Sequence, residues 1–143
     1  MTRTQTPQTI HCPLPLWNDA TEEYHNAYIT YRTNDPFFVR LEIEDWPFTV
    51  DAPRTVLRDG VTGLAECLSE PGGIALRVQP ASDGVNVLLG VTQGDLLLGV
   101  FRTYADAILG QLRHTYAMVP EGEEMTRIDW DLVIACMDPR DDE

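Results

Sequence analysis

From Ile74 to Val100 the chain carries three alternating apolar runs separated by two short turns, and no other feature limits its fold as tightly. Ile74, Leu76 and Val78 form the first run; Val85, Val87, Leu89 and Val91 the second; Leu96, Leu98 and Val100 the third. A two-residue period belongs to a pleated strand with one face buried. Ser82-Asp83-Gly84 and Gln93-Gly94-Asp95 separate the runs, and Asp and Gly favour tight reversal. The segment reads as a three-stranded antiparallel meander.

The same period recurs upstream. Ile10, Cys12, Leu14 and Leu16 alternate with His11, Pro13 and Pro15. Two prolines remove two ladder donors, so this strand belongs on a sheet edge. Ala27, Ile29 and Tyr31 predict another strand, closed by the turn Asn34-Asp35-Pro36. Phe37, Val39, Leu41 and Ile43 then alternate with Phe38, Arg40 and Glu42, and Trp46, Phe48 and Val50 follow the Glu44-Asp45 turn. Pro53 suits a first helical turn; Val56, Leu57, Val61 and Leu64 would line one face of a short helix, ended by Gly60 and Gly63. Phe101, Tyr104, Ile108, Leu112 and Tyr116 keep helical spacing, which predicts an amphipathic helix to about Ala117, stopped by Pro120 and Gly122. The stretch from Trp130 to Met137 is apolar nearly all round and suits either a helix or a strand. Strand runs cluster before each helix, the pattern of an α+β domain with antiparallel sheets. At 143 residues the expectation is one domain over residues 1–143, with a flexible N-terminus (1–8) and an acidic tail (138–143).

Charge narrows the partners. The net charge is −13, from 23 carboxylates against ten arginines and no lysine. Nucleic-acid affinity rests on clustered cations that neutralise phosphates and release counterions, and these arginines are scattered among acids. Acidic chains also avoid anionic membranes. No apolar run approaches a membrane span and the polar N-terminus lacks a signal region, which predicts a cytoplasmic protein with no direct membrane insertion. A protein partner of basic or mixed character is the residual expectation.

Chemistry is hard to place. Cys12, Cys67 and Cys136 are isolated and read as free thiols. His11 adjoins Cys12, but strand neighbours point to opposite faces. No histidine pair has zinc-ligand spacing, and Gly90, Gly94 and Gly99 lie in hairpin context rather than between a strand and a helix. Glu42 with Glu44, and Asp129 with Asp131, read as solvated carboxylates. The chain therefore reads as a non-enzyme with no cofactor or metal; a hydrolase using Cys67 or Cys136 is a distant alternative. Near the C-terminus, Glu121, Glu123, Glu124, Asp129, Asp131 and Asp138 surround the apolar stretch headed by Trp130. Packing onto the domain's own core accounts for that stretch; if it docks a partner instead, Asp129, Trp130 and Asp131 form the candidate contact.

Several of these segments, taken in order, resemble the SsgA-like proteins, regulators of sporulation-specific cell division in actinobacteria. The resemblance runs from about Thr9 to Ile134. Tyr31 to Val39 is similar to the family's Tyr-x-Thr-x-Asp-Pro-aromatic stretch. Arg54 to Val61 resembles its Arg-acid-Leu-Leu-x-x-Gly-Leu helix, with Thr55 in place of the acid. Arg77-Val78-Gln79-Pro80 resembles a strand end in which Gln79 stands where an aromatic is common. Val119-Pro120-Glu121-Gly122-Glu123-Glu124 and Asp129-Trp130-Asp131 resemble the family's ending. The resemblance implies two antiparallel β-sheets with two main helices, similar to whirly and guide-RNA-binding folds, assembled as a homotrimer. It also implies a non-enzymatic adaptor at division septa, in contact with the tubulin-like ring GTPase FtsZ or the septal wall-synthesis machinery. A single-stranded nucleic-acid binder is the alternative, suggested only by the fold analogy.

Overall fold

A computed structural model describes residues 7–47, 49–67 and 73–128. The first antiparallel sheet has four strands. β1 (Thr9–Pro13) forms one edge, followed by β4 (Ala27–Arg32), β5 (Phe38–Ile43) and β6 (Thr49–Pro53). The second sheet has six strands, in the order β3 (Glu23–His25), β2 (Leu16–Asn18), β10 (Leu96–Tyr104), β9 (Asn86–Gln93), β8 (Ile74–Pro80) and β7 (Ala65–Cys67). Among the described residues two α-helices join the sheets in an α+β fold: α1 (Arg54–Gly60) and α2 (Ala105–Met118). A 3₁₀ turn follows at Glu124–Arg127.

The expected meander is β8–β9–β10, with Leu76, Val78, Val87, Leu89 and Val91 all buried. Its third strand departs from simple alternation. The register with β9 slips between Leu97 and Gly99, a bulge that exchanges the two faces. Phe101 and Thr103 are consequently the buried residues of β10, while Leu96 and Val100 are exposed. The strand also runs on to Tyr104, so Phe101 and Tyr104 belong to it and not to the helix predicted over them.

The expected edge strand over Ile10–Leu16 is two strands in different sheets. β1 lies on the edge of the four-stranded sheet, the chain turns through Leu14-Pro15, and β2 pairs with β10 through Trp17 and Arg102. Leu64 lies beyond α1 and is exposed. Phe37 belongs to the turn before β5 and is partly exposed, whereas Val39, Leu41 and Ile43 are buried as expected.

Both helices and the inward faces of both sheets share one apolar core, which includes Tyr31, Leu41, Leu57, Leu89, Phe101 and Ile108. The site where α1 crosses β8 explains Gly60, because a Cβ there would collide with the side chain of Val78. The helices and the four-stranded sheet meet the inward face of the six-stranded sheet. Its other face carries Trp17, Tyr24, Arg77, Leu88, Val100, Arg102 and Tyr104.

Candidate functional site

Two charged clusters stand out, one inside the molecule and one on its surface. The inner one begins with an anomaly. Arg54 opens α1, where a cation opposes the helix dipole and the first turn has no acid. Its side chain is 1% exposed. The guanidinium reaches across to the end of α2, where it donates to the Thr115 carbonyl (3.0 Å) and the Val119 carbonyl (2.6 Å). A cation at the C-terminus of a helix meets the negative end of the dipole and satisfies carbonyls that lack helical partners. Arg54 therefore sits badly on its own helix and well on the other.

Glu124 closes the cluster, accepting from Arg54 at 2.9 Å and from the Gly122 amide at 2.8 Å. Gly122 has φ of +94°, a left-handed conformation that suits glycine. The guanidinium lies 4.0 Å from the Tyr116 ring centre and 5.3 Å from that of Tyr31. The Tyr31 hydroxyl donates to the Pro36 carbonyl at 3.0 Å. Contact with Arg54 holds the Glu124 carboxyl below the usual glutamate range, against the effect of burial. Burial pushes Tyr31 up to about 12, with Arg54 opposing. Arg58 adds a surface tie, bridging Asp59 at 3.1 Å and Glu121 at 2.9 Å. Glu121 and Glu124, expected in a solvated acidic ring, are thus held by α1, with Glu124 buried. This cluster is structural: it fastens the end of α2 and the turn after it, residues 115–124, to α1.

The outer cluster lies on the open face of the six-stranded sheet. A turn in which Asn18 Oδ1 accepts from the Ala20 amide (2.9 Å) joins β2 to β3 and sets Trp17 opposite Tyr24. Their rings meet edge-on at 4.7 Å. Trp17 also pairs with Arg102 on β10, and Tyr104 follows two residues along on the same face. Arg102 is held by Asp19 at 2.6 Å and Asp83 at 3.5 Å. Asp83 accepts from the Val85 and Asn86 amides and the Asn86 side chain, which draw its pKa down to about 2. Trp17, Tyr24, Asn86, Arg102 and Tyr104 border a cleft of about 560 Å³, with Asp19 and Asp83 held beside it by Arg102. Residue order does not announce it, because only the β2–β10 register brings Trp17 and Tyr104 together.

Residues singled out for chemistry remain apart. Cys12 and His114 border one open cleft along α2, with no hydrogen bond joining them. His11 instead contacts the Thr30 hydroxyl at 2.9 Å and stacks on Tyr28. Burial raises the Cys67 thiol, the direction opposite to activation. Glu42 accepts from the Thr30 hydroxyl and Glu44 from the Asn26 amide group. Among the described residues, no cluster of three or more His, Cys, Asp or Glu has the arrangement of a metal site, and no helix is long and apolar enough to cross a membrane. Asp129, Trp130, Asp131 and Cys136 lie outside the described residues.

Neither a protein-family model nor a curated protein matches the sequence. Solved structures do. SsgB, whose mutations correlate with longitudinal cell division during sporulation of Streptomyces coelicolor, superposes with a TM-score of 0.70 at 22% identity, covering 87% of this chain and 98% of that one. The chain has the SsgA-like fold. A second structure, an SsgA-like sporulation-specific cell division protein from Thermobifida fusca YX-ER1, agrees at TM-score 0.70 and 23% identity, over 93% of this chain and 98% of that one. Coverage of this extent includes both sheets, so the SsgA-like likeness is not confined to the meander.

Proposed function

We propose that this protein is an SsgA-like regulator of sporulation-specific cell division that works by protein contact and not by catalysis. The carrying observation is the fold shared with two sporulation division proteins over nearly their whole length. In this reading it acts in the cytoplasm at division septa, helping to place or assemble them through FtsZ or the wall-synthesis machinery. A homotrimer would supply several copies of one weak site and so raise avidity. Leu96 and Leu97, 61% and 58% exposed at the β9–β10 hairpin, offer apolar surface for that assembly.

Deletion of the gene in a sporulating host tests the role: septa should become irregular in number or spacing, and unchanged septation rejects it. Sedimentation equilibrium should give three times the monomer mass. Capture of a division protein by wild type but not by Trp130→Ala, with melting unchanged, would support contact through Asp129, Trp130 and Asp131. Anisotropy titration with a single-stranded oligonucleotide should show no saturable binding tighter than about micromolar at physiological salt.

A further inference from the structure

The outer cleft has the chemistry of a peptide groove. Trp17 and Tyr24 form one aromatic wall, half-buried and 73% exposed respectively. Tyr104, 63% exposed, forms the other. Pro15 and Asn86 also line the cleft, supplying an apolar face and a side-chain amide. Rigid aromatic rings bind at low entropic cost, and their hydroxyl and indole N–H groups can donate to backbone carbonyls.

The aromatic lining points to a class of peptide. Trp17 lies directly across from Arg102, so Tyr104 is its diagonal neighbour, about 7–8 Å away. A polyproline II helix repeats every three residues, or about 9 Å, and has no internal hydrogen bonds to surrender. Grooves lined by aromatic rings are the usual receptors for such a helix, and Trp17, Tyr24 and Tyr104 line this one.

Charge selects the flank. Arg102 is opposed by two carboxylates, Asp19 and Asp83, leaving the cluster net negative in a chain of net charge −13. Neither aspartate lines the cleft; both stand beside its lining residue Arg102, so a cation flanking the groove meets ionised acids there and the faces of exposed aromatic rings within. We infer that this cleft binds a proline-rich peptide segment carrying an arginine or lysine beside its prolines. The inference adds to the adaptor reading and rests on the cleft alone, at the end of β10 remote from Leu96 and Leu97.

The test uses the purified full chain and a synthetic decaproline flanked by arginines, followed by two-dimensional amide and indole NMR. Saturable binding with a Kd of roughly 10–100 μM, with shifts centred on Trp17, is expected. Tyr104→Ala and Trp17→Ala should each weaken it about tenfold while the remaining amide spectrum stays folded; Tyr104, being exposed, provides the safer variant. A glutamate-flanked decaproline should bind about tenfold more weakly. Equal affinity for an arginine-flanked glycine–serine peptide would reduce the effect to charge attraction and overturn the inference. So would an absence of saturation to about 1 mM, or wild-type affinity in Tyr104→Ala. None of these failures touches the septation phenotype, which is scored in cells.

Discussion

Arg54 and Arg102 place the same groups in opposite settings. Each has a carboxylate within 3 Å and aromatic rings nearby. Arg54 is sealed between two helices, and its charge is met by carbonyls, Glu124 and ring faces. Arg102 has a side chain 36% exposed and two aspartates that water also solvates. In the first setting, loss of one partner strands a charge where water cannot reach. In the second, solvent replaces whatever is removed. Burial, more than composition, separates a fastening from a surface available to a partner.

The sharpest attempt to break this contrast is Arg54→Met. Truncating one member of a buried pair typically costs about 3–5 kcal/mol, so urea denaturation should show a loss of that size. A loss under about 1 kcal/mol would erase the distinction between the clusters.

Glu124→Gln comes next, at about 2 kcal/mol at neutral pH, since it leaves a cation with a weaker acceptor. It also tests the acid limb. The folded Glu124 carboxyl is held below its unfolded value, so its contribution is present above the ordinary glutamate range and disappears as pH falls through the lower folded value. The variant should therefore show a flatter decline of stability in acid.

Tyr31→Phe should cost about 1 kcal/mol near neutrality through the lost bond to Pro36. Tyr31 titrates at about 12 when folded against about 10 when unfolded. The folded state then holds its proton longer, and wild-type stability falls as pH rises between those values. Tyr31→Phe should lose that part of the alkaline slope. The smallest effect belongs to Asp19→Asn, under about 0.5 kcal/mol, as expected of an exposed pair.

What could be read from residue order follows the range of the interaction involved. The meander and the pair β4–β5 were legible because each strand pairs with a neighbour in sequence across a turn. β3 and β7 were missed, since three residues are too few to display a period. The bulge at Leu97–Gly99 hides in a run of leucines where either face looks apolar. The partners of Arg54 are 61 to 70 residues away, so no local pattern reveals them. A signal existed nonetheless, in a cation at the wrong end of a helix. The residues expected to carry docking, Asp129 to Asp131, lie beyond the described chain, and the cleft at Trp17 depends on pairing across 85 positions, Trp17 to Arg102.

That long pairing sets an order of events during synthesis. β1, β4, β5 and β6 all precede the first helix, so the four-stranded sheet has every strand as soon as Pro53 leaves the ribosome. β2 and β3 must wait for β10, and Arg54 must wait for the end of α2 and for Glu124. Contacts between distant segments form slowly because loop closure precedes their reward. For that interval the nascent chain presents an unpaired β2–β3 hairpin and an unmatched guanidinium, which makes the arrival of residues 96–124 the step that commits the chain to its fold.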